Sequence, residues 1–180
     1  PDWTPFCHRV QAAAAHVFAS WAAFEEAPLE NKLFFDGGIA RAQSAATAPV
    51  DTSGPRTVVY AGGAGTSKGL PQLLCAFQRL NMPNTRLVVC GKGTAGLQNT
   101  VNAANIECRG FLAESEFDRV CRTAYCFVNP RRQDARATRY NFPSKLLKYI
   151  GYGKPVISHW TGGLSPQERE VLCVAEQPDK

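Results

Sequence analysis

The chain has 180 residues and a net charge of +5, with 44% hydrophobic and 19% charged side chains. That length excludes a large multidomain assembly, and that balance excludes a disordered or fibrous chain. The longest apolar stretch, Val10 to Phe24, is broken by Gln11, His16 and Ser20 and falls short of the roughly 20 apolar residues a membrane-spanning helix needs.

At the start, Pro1-Asp2-Trp3 shows neither an initiator methionine nor a basic-then-apolar leader, so the chain reads as an excised piece without its targeting information. Ala12 to Ala15 can be helical, Val17 and Phe18 suggest a brief strand, and Asp36-Gly37-Gly38 a turn. The small, polar stretch Ala40 to Gly54 has the composition of a linker. A boundary is therefore expected near residues 40–55. Residues 1–50 would be the tail of a neighbouring domain with a hinge, and 51–180 a second domain.

From residue 56 the pattern changes. Thr57 to Tyr60, Arg86 to Cys90, Ile106 to Cys108, Tyr125 to Val128, Pro155 to Ser158 and Val171 to Val174 read as six strands, rich in β-branched or aromatic residues. Several are apolar throughout, which suits strands covered on both faces. Between them, Leu70, Leu73, Leu74, Phe77 and Leu80 recur at helical spacing and predict a helix over 69–81. Phe117, Val120 and Cys121 predict another over 114–123, with Glu114 and Glu116 suiting its N-terminus. Leu146, Leu147 and Ile150 predict a third over 143–151, with Pro143 in its first turn and Gly151 or Gly153 at its end. The order βαβαβαβαβ predicts an α/β, doubly wound and mostly parallel Rossmann-like sheet of about six strands.

Charge is uneven along this pattern. Residues 52–106 hold five bases and no acid, and residues 119–154 hold nine bases and one acid. Such blocks attract anions. The second block has no run of five like charges and little aromatic interleaving beyond Tyr140 and Phe142, which argues against nucleic acid. The seven cysteines are odd in number, form no C-x-x-C and sit mostly in apolar runs, so reduced thiols packed as small apolar residues are expected, not a disulfide framework. With only His8, His16 and His159 present, a zinc cluster is not expected.

In a doubly wound sheet, ligands bind where strands end and helices begin. The loops there are Ala61 to Gly69, Gly91-Lys92-Gly93, Gly110-Phe111-Leu112 and Pro130 to Pro143. The first is not a P-loop, because Lys68 precedes Gly69 instead of following it. Nor does Gly63-Ala64-Gly65 complete a dinucleotide fingerprint, since Lys68 stands at the third glycine position. What remains is a glycine turn delivering one lysine, which suits a diphosphate or is an ordinary surface turn. In the fourth loop, backbone N–H groups around 144–146, the Ser144 hydroxyl and the Lys145 ammonium could converge on one anion. Alternatively, Ser144 is only a helix cap and Lys145 a solvated lysine.

Taken together, Val59 to Gly63 with Lys68-Gly69-Leu70, Arg86 to Gly93, Gly110-Phe111-Leu112, Asn141 to Leu146 and Gly153 to Ile157 resemble the C-terminal domain of retaining GT-B glycosyltransferases of the group called family 4 or group 1. Leu33 to Ile39 resembles the end of the N-terminal acceptor domain and the hinge of that fold. The resemblance implies a donor-binding domain over 51–180, without its last helices, for a nucleotide-diphosphate sugar, working with a glycan or glycoconjugate acceptor. It assigns the diphosphate to Gly63 and Lys68, and the base to Gly110, Phe111 and Leu112. Phosphates and sugar fall to the helix entered through Asn141, Pro143, Ser144, Lys145 and Leu146. It implies no cofactor and no metal, no nucleic-acid partner, and a cytoplasmic enzyme whose full-length parent could associate peripherally with a membrane. The fragment alone would be inactive. This chain departs from the family in having Gly63 where an arginine is usual, and Tyr140 and Lys148 where a pair of glutamates is usual. Lys148, donor-only when charged, cannot accept from ribose hydroxyls. A GT-B nucleotide-sugar epimerase and a noncatalytic nucleotide-binding or scaffolding module are the competing readings.

Overall fold

Strands that are apolar on both sides need cover on both sides, and the fold supplies it. The computed structural model describes residues 15–38, 54–65, 68–80, 82–101, 103–131 and 136–175. Six parallel strands form the main sheet in the order β5-β4-β3-β6-β7-β8: β3 (Arg56–Ala61), β4 (Thr85–Cys90), β5 (Ile106–Gly110), β6 (Cys126–Asn129), β7 (Val156–His159) and β8 (Cys173–Ala175). The order reverses between β3 and β6, so the loops leaving these two neighbours diverge to opposite sides. A crevice opens there, at the carboxyl ends of the strands.

Alternation along β3 and β4 sends Val59, Ala61, Val88 and Cys90 to one face and Tyr60, Leu87 and Val89 to the other. The first face packs with Phe127 against α3 (Glu114–Arg122) and α5 (Lys145–Ile150), through Val120, Cys121, Leu146 and Tyr149. The second packs against α2 (Leu70–Leu80), through Leu70 and Phe77. Phe127 and Tyr149 stack with ring centroids 4.4 Å apart and planes 6° from parallel, which couples β6 directly to α5.

Ahead of this sheet, β1 (His16–Phe18) and β2 (Lys32–Phe34) pair in parallel as a separate two-stranded sheet, joined by α1 (Trp21–Glu26). The segment docks on the main body. Trp21 N–H donates to Gly163 O at 3.2 Å and Ala22 N–H to Gly162 O at 2.7 Å, while the Ser165 hydroxyl donates to the Asp36 carboxylate at 2.9 Å. Of the expected helix at Ala12 to Ala15, residues 12–14 lie outside the described residues, as do residues 40–53 of the expected linker Ala40 to Gly54.

Three expectations need correction. Val171 to Val174 is not one strand: Val171 ends helix α6 (Pro166–Val171), and β8 begins only at Cys173. The cause is a capping box, in which the Ser165 side chain and the N3 residue Glu168 satisfy each other's backbone N–H groups and so start a helix upstream. Between β4 and β5 the connection is a 3₁₀ helix, Ala95–Asn99, rather than an α-helix. The third predicted helix starts at Lys145, two residues later than expected, preceded by the short helix α4 (Arg136–Arg139). All six described cysteines are free: Cys90, Cys108, Cys121 and Cys126 are buried, but Cys75 and Cys173 are exposed. Among the described residues no helix is long and apolar enough to cross a membrane.

Candidate functional site

The ends of β3, β4 and β5 meet in a set of tight turns. Gly62 N–H donates to Cys90 O at 2.8 Å, and Gly91 N–H to Gly110 O at 2.6 Å. Gly91 sits at φ +138, and a Cβ there would collide with the Gly62 carbonyl. Only glycine permits so close an approach of two backbones. Gly69, at φ +74, lies equally close to the Pro130 carbonyl, which brings the start of α2 against the loop leaving β6.

These turns floor a cavity of about 360 Å³. Ala61, Gly62, Cys90 and Gly91 form its base, Phe111 and Leu112 one wall, Phe117 and Glu114 of α3 a second, and Lys145, Lys148 and Tyr149 of α5 a third. Lys145 Nζ donates to Ala61 O at 2.8 Å. The same carbonyl accepts from Tyr149 Oη at 3.0 Å, and Ala61 N–H donates back to Tyr149 Oη at 2.9 Å. The end of β3 is thus tied to α5 by three bonds at one residue. Burial holds the Tyr149 hydroxyl firmly neutral and pushes the Cys90 thiol up to about 11, so Cys90 is no nucleophile here.

Positive charge collects at the rim. Lys68 Nζ folds over Gly63, 3.4 Å from where a Cβ would stand. The pKa of Lys145 is lowered from 10.5, first by desolvation and then by the nearby charges of Lys68 and Arg131. No carboxylate is among the groups that shift it. Lys148 Nζ lies 4.6 Å from the centre of the Phe117 ring, close enough for the ring face to hold the ammonium. Phe111, an aromatic side chain, is 83% exposed.

Of the residues singled out from sequence, Phe111, Leu112, Lys145 and Lys148 line the cavity, with Lys68, Gly63 and Gly110 beside it. Four do not. Leu146 is fully buried in the core, Pro143 is buried beneath α5, and Asn141 and Ser144 are exposed away from the lining. The expected convergence of backbone N–H groups at 144–146 is largely absent. Ser144 N–H donates to Phe142 O at 2.9 Å and Leu146 N–H to Pro143 O at 2.8 Å, so both are already used. Ser144 itself is helical and makes no cap bond with its side chain, because the chain enters α5 through a tight turn rather than an extended segment. Sequence reasoning missed Tyr149, Glu114 and Phe117 as lining groups; the last carried only the signal of a helix core position. Among the described residues no cluster of three metal-ligating side chains occurs.

At the other possible charge site, Tyr140 Oη donates to Glu26 at 2.6 Å and Arg139 makes an ion pair with the same carboxylate. Both belong to the contact with the N-terminal segment and not to the cavity.

A family model described as glycosyl transferases group 1 matches residues 55–180. No curated protein matches the sequence. Among solved structures, Alr3699/HepE of Anabaena in complex with UDP and glucose is 15% identical, with a TM-score of 0.62 over 91% of this chain and 50% of its own. The apo form of WaaB, a lipopolysaccharide outer core galactosyltransferase, is 17% identical, with a TM-score of 0.61 over 87% of this chain and 45% of its own. The pneumococcal O-GlcNAc transferase GtfA in complex with UDP and GlcNAc is 14% identical, with a TM-score of 0.56 over 88% of this chain and 32% of its own. At such identities the likeness is one of fold, and the chain spans half or less of the length of these structures.

Proposed function

The chain belongs to the glycosyl transferases group 1 family, and from that premise we propose that it is the donor-binding part of an enzyme that transfers a sugar from a nucleotide-diphosphate sugar to a glycan or glycoconjugate. One observation carries the reading. Lys145 lines a cavity whose floor is apolar, and burial, followed by the nearby charges of Lys68 and Arg131, disfavours its charge until an anion arrives. A diphosphate supplies that anion. As the glycosidic bond to it breaks, negative charge grows on the leaving oxygen, and ammonium groups already in place stabilise it with little reorganisation. Chemistry of this kind needs no metal.

In this reading Phe111 offers its face to the base, with Leu112 and Gly110 shaping the slot and Phe117 closing it. Lys148, held over Phe117, donates to a phosphate or hydroxyl of the donor. Gly63 leaves space for Lys68 to fold inward. Asn141, Pro143, Ser144 and Leu146 act indirectly by fixing the entry and depth of α5. Residues 51–180 are the donor unit and residues 1–50 the tail of an acceptor domain with its hinge. Stereochemical retention would need groups from that acceptor domain, so these 180 residues alone should bind nucleotide and turn over little.

A thermal unfolding panel with UDP, GDP, ADP and CDP tests this, because a ligand that binds only the folded state raises its apparent stability. One nucleoside diphosphate is expected to raise Tm in the native chain and to lose that effect in Lys145→Ala. No shift with any of the four favours the noncatalytic module instead.

A further inference from the structure

A second hollow, of about 520 Å³, lies between α1 and the loop following β7. It is created by the docking of Trp21 and Ala22 on Gly163 and Gly162. Two of the chain's three tryptophans, Trp21 and Trp160, line it with Glu25, Glu26, Arg139 and Thr161.

These groups are held in place before any ligand arrives. Trp21 is braced by Phe34 and Phe24, with centroids 5.0 and 5.6 Å away, and Trp160 carries Arg169 at 5.6 Å from its ring. The Glu26 carboxylate is fixed by Arg139 Nε at 3.0 Å and Tyr140 Oη at 2.6 Å. Glu25 makes no ion pair among the described residues. Thr161, 3% exposed, has a hydroxyl without a hydrogen-bond partner among them.

The chemistry selects one ligand class. Rigid indole faces are apolar and electron-rich, and suit the weakly positive C–H face of a ring. Carboxylates accept from hydroxyls, and a guanidinium donates to them. The lining itself holds two carboxylates and one guanidinium, already paired with Glu26, which disfavours a phosphate-bearing ligand, and a purely apolar ligand would desolvate the carboxylates without compensation. A ring with apolar faces and a girdle of hydroxyls meets every requirement, and the volume lies within the usual range of small-molecule sites.

We propose that this hollow is a saccharide subsite, distinct from the donor cavity, that takes a neutral sugar ring of the acceptor; the acceptor assignment rests on the function proposed above. Because α1 supplies one wall and the β7 loop the other, a sugar bound there also fastens the N-terminal segment to the sheet.

The test titrates the full chain with maltose, lactose and chitobiose, reading tryptophan emission and, in parallel, the UDP-induced thermal shift. A saturable emission change with at least one disaccharide is expected, weakened about tenfold in Glu25→Ala, an exposed site whose loss does not threaten folding. It should vanish in Trp160→Ala, while the UDP-induced thermal shift stays intact in both variants. Absence of a saturable response in a folded chain that still binds UDP overturns the subsite alone. A response that UDP displaces, or that Glu25→Ala leaves undiminished, overturns it too. A disaccharide response weakened in Glu25→Ala, without any nucleotide shift, upholds the subsite and overturns the donor reading.

Discussion

Two basic regions stand at the carboxyl ends of the strands and treat their charge in opposite ways. Where the N-terminal segment docks, Arg139 is neutralised: Glu26 accepts from it and from Tyr140, and the carboxyl is held below its ordinary range chiefly by those two bonds. At the cavity floored by β3, β4 and β5, Lys145 donates to a backbone carbonyl and, among the described residues, its charge is opposed by Lys68 and Arg131 with no carboxylate to offset them. The first arrangement pairs its charges within the chain and helps to hold the N-terminal segment to the sheet. The second leaves an ammonium among like charges, which in the function proposed above suits it to receive an anion. Counting bases along the sequence does not distinguish the two; the position of a single acid does.

The severest way to break the comparison is to remove the frame both regions share. Phe127→Ala deletes a fully buried ring stacked on Tyr149, and should cost about 3–5 kcal/mol. Urea unfolding would show a lower midpoint at unchanged slope.

Lys145→Met acts on one region alone. Losing a charge-assisted bond of about 1.5–3 kcal/mol should weaken the nucleoside diphosphate roughly 10- to 150-fold by calorimetry. The free protein should be no less stable, since burial and two like charges already oppose that ammonium. The pH dependence has a defined sign. Below the ordinary lysine value of 10.5, the unfolded chain keeps a proton that folded Lys145 has begun to release, so stability rises with pH across that window. Nucleotide affinity falls over the same window, and Lys145→Met should flatten both trends. An unchanged affinity in this variant would erase the contrast between the regions.

The smallest effect belongs to Glu26→Gln. The pair is solvent-exposed, so Tm should barely move and nucleotide affinity should not change, because screened surface pairs contribute little. A large loss of nucleotide binding there would show that the two regions are coupled.

Much of the sheet was legible because β-branched runs bounded by glycine and proline leave few alternatives. What was misread lay where a local device outweighed hydrophobicity. The capping box at Ser165 and Glu168 was present in the sequence and turned part of an apolar run into helix α6. The helix α1 and strand β2 went unrecognised because Trp21 to Glu26 is one short turn-and-a-half whose order comes from contacts with residues 162–163. In the site, lysines and the exposed phenylalanine were legible as chemistry without a structural excuse. The role of Tyr149 was not, because its partner, the Ala61 peptide, is 88 residues away. The anion cradle expected at Ser144 failed for a local reason: a turn at Phe142 and Pro143 had already consumed its donors.

The triple attachment at Ala61 has a practical consequence. Any ligand that draws the Lys145 ammonium away must leave that carbonyl to the tyrosine alone, redistributing electron density across one peptide linkage. Isotope-edited NMR of residues 61 and 62 would then register occupancy directly, giving the molecule an intrinsic reporter that needs neither a labelled substrate nor turnover.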